Sequence, residues 1–560
     1  MGALYQEVVD LQATDALEAQ MTELVERSIE SLADLHQWLK DEESFGKGVS
    51  EAYIGHVIDF YCQTDDEVRK ARYLHDQAVV MPMLAKFQFS LDTKFVNCPY
   101  IRDLDSDRYG MLRKVRQTRM DVFREENIAL MVSEQELTTQ YSVVVGGLTA
   151  EWEGEQLPLP FLQAKLTHPS REIRERAWLA MRAAMTPFIE TIDGIMDQLL
   201  VLRQTMAVNA GFENYRDFVF YAKNREYDLE DVLQLHRVTE RLVVPVWNEM
   251  LEDRRRALHV DTLRPWDVSA ETEELVPFAD VAELVADVGR MLSRTDPEFG
   301  RLLGRMEAAG LLDLASRPGK APGGFNAPLP LSGNSFIFGN AAQADWDVTV
   351  LVHELGHAFH FDTCRNETLF DDGLHRSEIA EFFSHGMEVM VIDKLEEVYA
   401  DPVAHRAASR RRLIRLASMM VGPVASDLFQ HWMYTHPGHT AAQRHEAWRD
   451  IERRYTAGPM DWSGFETELG AKWMETTHFF DTPFYMLEYT MSMLGALSLW
   501  QRYQVAPQEA VASYKRAAAA GYNKPIRDVY ALAGVAFDFS DDVVAGLAEY
   551  MRAKWQQVGR

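Results

Sequence analysis

Two histidines stand four residues apart in the run Leu351-Val352-His353-Glu354-Leu355-Gly356-His357-Ala358-Phe359-His360. On a helix that spacing stacks the His353 and His357 imidazoles on one face, at a separation suited to one shared metal ion. Glu354 lies one position off that face, where a carboxylate can serve as general base to a water without ligating the metal. The apolar run at 348–355 predicts a buried helix, and two buried histidines without partners would be costly unless they ligate. Catalytic zinc commonly takes three protein ligands and leaves one position for water, so a third ligand is required. No histidine follows His357 at five to seven residues, where Asp362, Thr363 and Cys364 stand. Downstream, Arg376-Ser377-Glu378-Ile379-Ala380-Glu381-Phe382-Phe383-Ser384-His385-Gly386-Met387-Glu388 reads as a second helix. Its Glu381, His385 and Glu388 share one stripe at offsets of four and three. On spacing alone Glu378, Glu381 and His385 all qualify as the third ligand.

The elements that must carry these residues read as mostly helical. Apolar positions recur at helical spacing across 11–137, as in Leu32, Leu35 and Leu39, and again from Ile173 through 199–206, 232–251 and 281–292. Around Tyr141 the pattern changes, and 141–145 followed by Gly146, Gly147 and, further on, Gly154 predicts a short strand and turns. Residues 317–331 hold Pro318, Gly319, Pro322, Gly323, Gly324, Pro328 and Pro330, which predicts a rigid loop. Ser335, Phe336, Ile337, Phe338 and Gly339 predict a short edge strand, beside which an extended peptide could pair by its backbone. The aromatic segment from His478 to Tyr489 supplies hydrogen-bond donors in His478, Tyr485 and Tyr489.

With 57 Lys plus Arg against 86 Asp plus Glu, the formal net charge is −29, which disfavours a nucleic-acid partner. Hydrophobic residues at 47% and charged residues at 26% describe an ordinary globular chain and exclude disorder as its main state. Three cysteines without a CxxC spacing indicate neither a disulfide scaffold nor a thiolate zinc site. Acid at Glu7 and Asp10 does not suit a secretion signal, and no apolar stretch is long enough to span a bilayer. A cytoplasmic protein without a membrane partner is expected, as monomer or homodimer.

The combined pattern resembles the oligoendopeptidase F and thimet oligopeptidase family of zinc metallopeptidases. The run 353–360 matches its extended metal helix, and Glu381, Ser384 and Glu388 match the offsets of its downstream helix. The order of Trp152-Glu153-Gly154-Glu155, residues 211–217, residues 320–325 and Gly521 with Pro525-Ile526 is also similar, so the likeness covers about residue 110 to the C-terminus. The resemblance implies a mainly α fold, a two-lobed helical clamshell with a deep central cleft and a small β element beside the HExxH helix. It divides the chain into an N-terminal helical region at 1–110, a helical region with a β hairpin at 111–200, and a catalytic region at 201–560. It implies one zinc ion on His353, His357 and Glu381, with Glu354 as base. Glu388, His360 and His385 stand behind the ligands, His385 being a departure from the expected pattern. It also implies substrate or oxyanion contacts from His478 and Tyr489, with Tyr485 beside them, and backbone capture by residues 335–339 with Gly323 and Gly324. The expected activity is hydrolysis of internal bonds in short, unfolded oligopeptides. A carboxydipeptidase of the same fold and a catalytically silent helical peptide-binding protein are the alternatives.

Overall fold

The helical periodicity folds as expected, into a mainly α protein in which long helices pack on one another and strands are few. A computed structural model describes residues 5–271, 275–366 and 369–558. The chain forms two compact units. Met1–Asp121, Val276–Asp401 and Gly495–Phe537 make the first; Val122–Leu275, Pro402–Leu494 and Asp538–Arg560 make the second. No helix among the described residues is long and apolar enough to cross a membrane.

In the second unit, residues 141–145 are not a strand. They end the helix Glu125–Gly146, because the Tyr141 ring stacks 3.6 Å from Phe480 and its hydroxyl donates to the Met474 carbonyl at 2.8 Å. That tertiary contact outweighs the strand preference of three consecutive valines. The hairpin follows instead as β1 (Thr149–Trp152) and β2 (Glu155–Pro158). Its two-residue turn has φ of 57° at Glu153 and 89° at Gly154, the positive pair that a primed hairpin turn requires.

In the first unit, β3 (Leu312–Ala315), β4 (Phe325–Leu329) and β5 (Asn334–Ala341) form a sheet of order β3-β5-β4. Two expectations are corrected here. The stretch 317–331 is not all loop, since β4 lies within it and pairs antiparallel with β5. Nor is 335–339 an edge: β5 is the middle strand, parallel to β3 and antiparallel to β4. Phe336, Ile337 and Phe338 are buried, as a continuous apolar run demands when both faces are covered. Pro328 occupies an outer strand, the position that tolerates a residue without an amide proton.

The sheet packs against the helix Asp345–Cys364, which in turn packs against Ser377–Val391. These two helices touch through their backbones. A Cβ placed on Gly356 would lie 2.4 Å from Ser384 Cα and 2.7 Å from the Phe383 carbonyl oxygen. The second helix is pinned from its other side by buried tyrosines: Tyr514 donates to the Phe383 carbonyl at 2.6 Å and Tyr530 to that of Glu378 at 2.8 Å. Just before this helix, Asp371 accepts from Arg116 at 3.2 Å and Arg119 at 2.8 Å, and Arg116 also reaches Glu42 at 3.0 Å. Gly356→Ala is expected to destabilise the fold by about 1–3 kcal/mol, the usual cost of overpacking a filled interior. Denaturant unfolding of the variant checks this, and an unchanged midpoint would show that the helices can separate freely.

Candidate metal centre

The HExxH helix is fixed at both ends. Asp347 accepts the backbone N–H groups of Ala342 at 2.8 Å and Ala344 at 2.9 Å, satisfying amides at the helix start. Beyond its last turn, Arg365 donates to the Gly333 carbonyl at 3.0 Å, tying it to the turn between β4 and β5. His353 and His357 then share one face, with ring centroids 4.9 Å apart.

Glu381 meets that face from the neighbouring helix. Its two carboxylate oxygens lie 3.4 Å from His353 Nε2 and 3.8 Å from His357 Nε2. Ser384 donates to the Glu381 carboxylate at 3.3 Å, one turn along. Behind His353, Nδ1 pairs with Glu388 Oε1 at 2.7 Å. A carboxylate only accepts, so a ring proton sits on Nδ1, and Nε2 is the nitrogen turned to Glu381. His385 is buried on the same helix. Donor atoms of His353, Glu381 and His385 fall within 4.8 Å of one another, and His385 Nε2 lies 3.9 Å from Glu388 Oε1. Two imidazoles and a carboxylate form a donor set that suits zinc, and donor separations of 3.4 and 3.8 Å are close to the roughly 3.3 Å between ligands of a tetrahedral ion. Glu378 is buried at the start of the helix, and the carboxylate that meets both imidazoles is Glu381.

The profile of peptidase family M3 matches residues 165–549 of this chain. The chain belongs to peptidase family M3. It is thus a metallopeptidase. Solved structures with the same fold include Pz peptidase A with inhibitor 2, at 24% identity and a TM-score of 0.89 over 99% of this chain and 98% of that one. A protein of Bacillus anthracis str. Ames assigned as an oligoendopeptidase F aligns at 21% identity and a TM-score of 0.86 over 100% and 99%. No curated protein sequence matches the chain.

Burial dominates the electrostatics of this M3 peptidase site. It raises the Glu354 carboxyl to about 7, with the His353 charge opposing and that of Glu381 adding. A backbone hydrogen bond from Asn326 on β4 also reaches Glu354, so the outer strand borders the HExxH helix. Burial lowers His357 to about 3 against the pull of Glu381, keeping that imidazole neutral as ligation requires. For His353 burial also pulls down, but hydrogen bonds to Glu381 and Glu388 carry it up to about 10. Glu381 is pushed up by burial, yet the His353 hydrogen bond and the charges of His357, His353 and His385 hold it well below the usual carboxylate range. A cation between these groups would take the place of the shared proton.

The other predicted residues fall as follows. His360 is buried and packs its ring 4.1 Å from Phe383 and 4.9 Å from Tyr522. Ser335 exchanges hydrogen bonds with the Asn326 side chain at 2.7 and 2.9 Å. Gly323 and Gly324 are exposed ahead of β4, and Asn340 holds their loop by donating to Gly323 O at 2.8 Å. In the second unit His478, Tyr485 and Tyr489 cluster together: His478–Tyr485 and Tyr485–Tyr489 ring centroids are 5.2 and 5.0 Å apart, and Tyr489 Oη lies 3.5 Å from His478 Nε2. Asn326, Tyr514 and Tyr530 were not predicted, because only the tertiary fold brings them to the two helices. Glu388→Gln is expected to lower metal affinity about 10- to 100-fold by freeing the His353 ring. Competition with a chromophoric chelator measures it, and wild-type affinity would detach Glu388 from the site.

Proposed function

We propose that this M3 peptidase is a zinc-dependent endopeptidase acting on short, unfolded oligopeptides. The observation that carries the reading is the meeting of His353, His357 and Glu381, with Glu354 beside them and Glu388 behind. His353 Nε2, His357 Nε2 and a Glu381 oxygen would hold the ion. Bound zinc supplies a Lewis acid for the scissile carbonyl and lowers the pKa of water from 15.7 toward about 7. Glu354 takes the proton of the attacking water on its carboxylate and returns it to the leaving amine nitrogen. Glu388 keeps the His353 proton on Nδ1, and His385 shares that supporting position.

Backbone capture of an extended substrate passes from β5, which is spent on both sides, to the outer strand β4, approached past Gly323 and Gly324. Pairing along the backbone leaves most side chains unread, which suits a mixed pool of peptides. Tyr489 and His478, with Tyr485 adjoining, are assigned hydrogen bonds to substrate or oxyanion on the strength of the sequence resemblance and of their mutual contact.

Glu354→Gln is expected to retain bound zinc and to lose roughly 10²- to 10⁴-fold in kcat, the span of general acid–base catalysis. Activity near wild type with full zinc would remove Glu354 as the base. Among Glu381→Ala, Glu378→Ala and His385→Ala, only the first is expected to lose a zinc equivalent relative to wild type, as read by metal content after dialysis. Cleavage products of a mixed peptide library, capped at both ends and followed by mass spectrometry with and without a chelator, test the reaction type. Internal cuts abolished by the chelator support the endopeptidase. Cleavage restricted to peptides with a free C-terminal carboxylate would make it a carboxydipeptidase, and zinc and peptide binding without fragments would leave a binding protein.

A further inference from the structure

The second unit holds a group of donors that peptide hydrolysis leaves unused. His236 lies on the helix Leu229–Val238, and Asp427 and His431 stand one turn apart on Pro402–Thr435. Their exposures are 3%, 0% and 5%, so they are closed to bulk solvent. Both imidazoles bring Nε2 to the same carboxylate oxygen, His236 at 2.8 Å and His431 at 3.1 Å from Asp427 Oδ2. Only the His236 approach is a hydrogen bond. Neither ring nitrogen of His431 has a hydrogen-bond partner among the described residues, and Asp427 Oδ1 accepts none.

A buried polar group left in that state pays its desolvation without return. Each neutral imidazole can give its own Nε2 proton to Asp427 Oδ2, which still leaves Asp427 Oδ1 without a partner. A divalent cation takes all three donors together. Zinc bonds of about 2.0–2.1 Å set tetrahedral ligand atoms roughly 3.3 Å apart, and the observed 2.8 and 3.1 Å need only a small opening to reach it. The second oxygen, Asp427 Oδ1, is at hand to complete the shell. Phe220 and Phe484 stand edge-on against the His431 ring at 5.7 and 5.5 Å, so the position is walled by aromatic rings. Such a closed set suits a structural ion.

We propose that His236, Asp427 and His431 bind a second, structural zinc ion that pins the helix Leu229–Val238 to Pro402–Thr435. The ion also steadies the turn that carries the aromatic donors. Gln430, between the two ligands of the long helix, accepts the Phe484 N–H at 2.8 Å, and Phe484, at a φ of 62°, immediately precedes Tyr485.

Metal content of the full-length protein, stripped, reloaded with excess zinc and desalted, tests this independently of the peptidase centre. His353→Ala/His357→Ala protein is expected to keep one zinc per chain and to gain thermal stability as zinc is added. Adding His236→Gln and His431→Gln to it is expected to remove that zinc. Asp427→Asn in the otherwise intact protein is expected to lose one equivalent relative to wild type while His353 and His357 keep theirs. The proposal is overturned if the His353/His357 variant, folded by circular dichroism, holds no zinc, or if Asp427→Asn keeps the wild-type content. Failure of the peptidase-centre reading would appear differently, as equal zinc in wild type and the His353/His357 variant.

Discussion

The site depends on how closely two helices approach at Gly356. With hydrogen in place of a side chain there, the backbone of Asp345–Cys364 rests against Ser384, and that contact sets the distance from which Glu381 faces the imidazoles. Glu381 stands three residues before Ser384 and Gly356 lies between His353 and His357, so the tightest backbone contact and the donor set share one turn of each helix. A side-chain layer of ordinary thickness would hold helix axes 8–10 Å apart. A carboxylate on so short a stem reaches both rings because that layer is missing here.

Orientation is a separate matter from distance. An imidazole can rotate about its side-chain bonds, and the Glu388 contact at 2.7 Å to His353 Nδ1 fixes which nitrogen faces the donor set. His385 belongs with Glu388 on this reasoning, since its Nε2 is 3.9 Å from the same oxygen that holds His353. The stripe Glu381, His385, Glu388 thus divides by contact along the helix: Glu381 meets both imidazoles, Glu388 meets His353 Nδ1, and His385 lies near both.

Local chemistry was legible in the sequence where helical spacing alone decides it. The pair His353/His357, the offset of Glu354 and the stripe on the following helix all follow from one period. Glu381 could not be chosen over Glu378 by spacing, because the choice is made by where the second helix touches the first. The β element was misread for a related reason. The breakers Pro328 and Gly324 read as loop, whereas the partner strand β5 supplies the hydrogen bonds that hold β4 extended. The apolar run 336–338 identifies a strand but not its neighbours, and it became the middle one. Asp427 and His431 share one helical period, but no periodicity joins them to His236, 191 residues earlier in the chain.

The aromatic donors show how such placement is enforced from outside the segment that bears them. Arg203 is fully buried and donates to the Phe479 carbonyl at 2.8 Å and to that of Phe480, while its neighbour Tyr434 accepts at 2.8 Å. Arg225 donates to the Phe484 carbonyl, and both it and Lys223 pair with Glu488, at 3.2 and 2.7 Å. Two guanidinium groups therefore hold the backbone on either side of the Pro483 turn, and a buried carboxylate neutralises one of them. A short aromatic segment with a positive-φ residue at Phe484 would not keep His478, Tyr485 and Tyr489 in mutual contact by its own preferences. It does so because the Arg203 and Arg225 guanidinium groups take up its carbonyls.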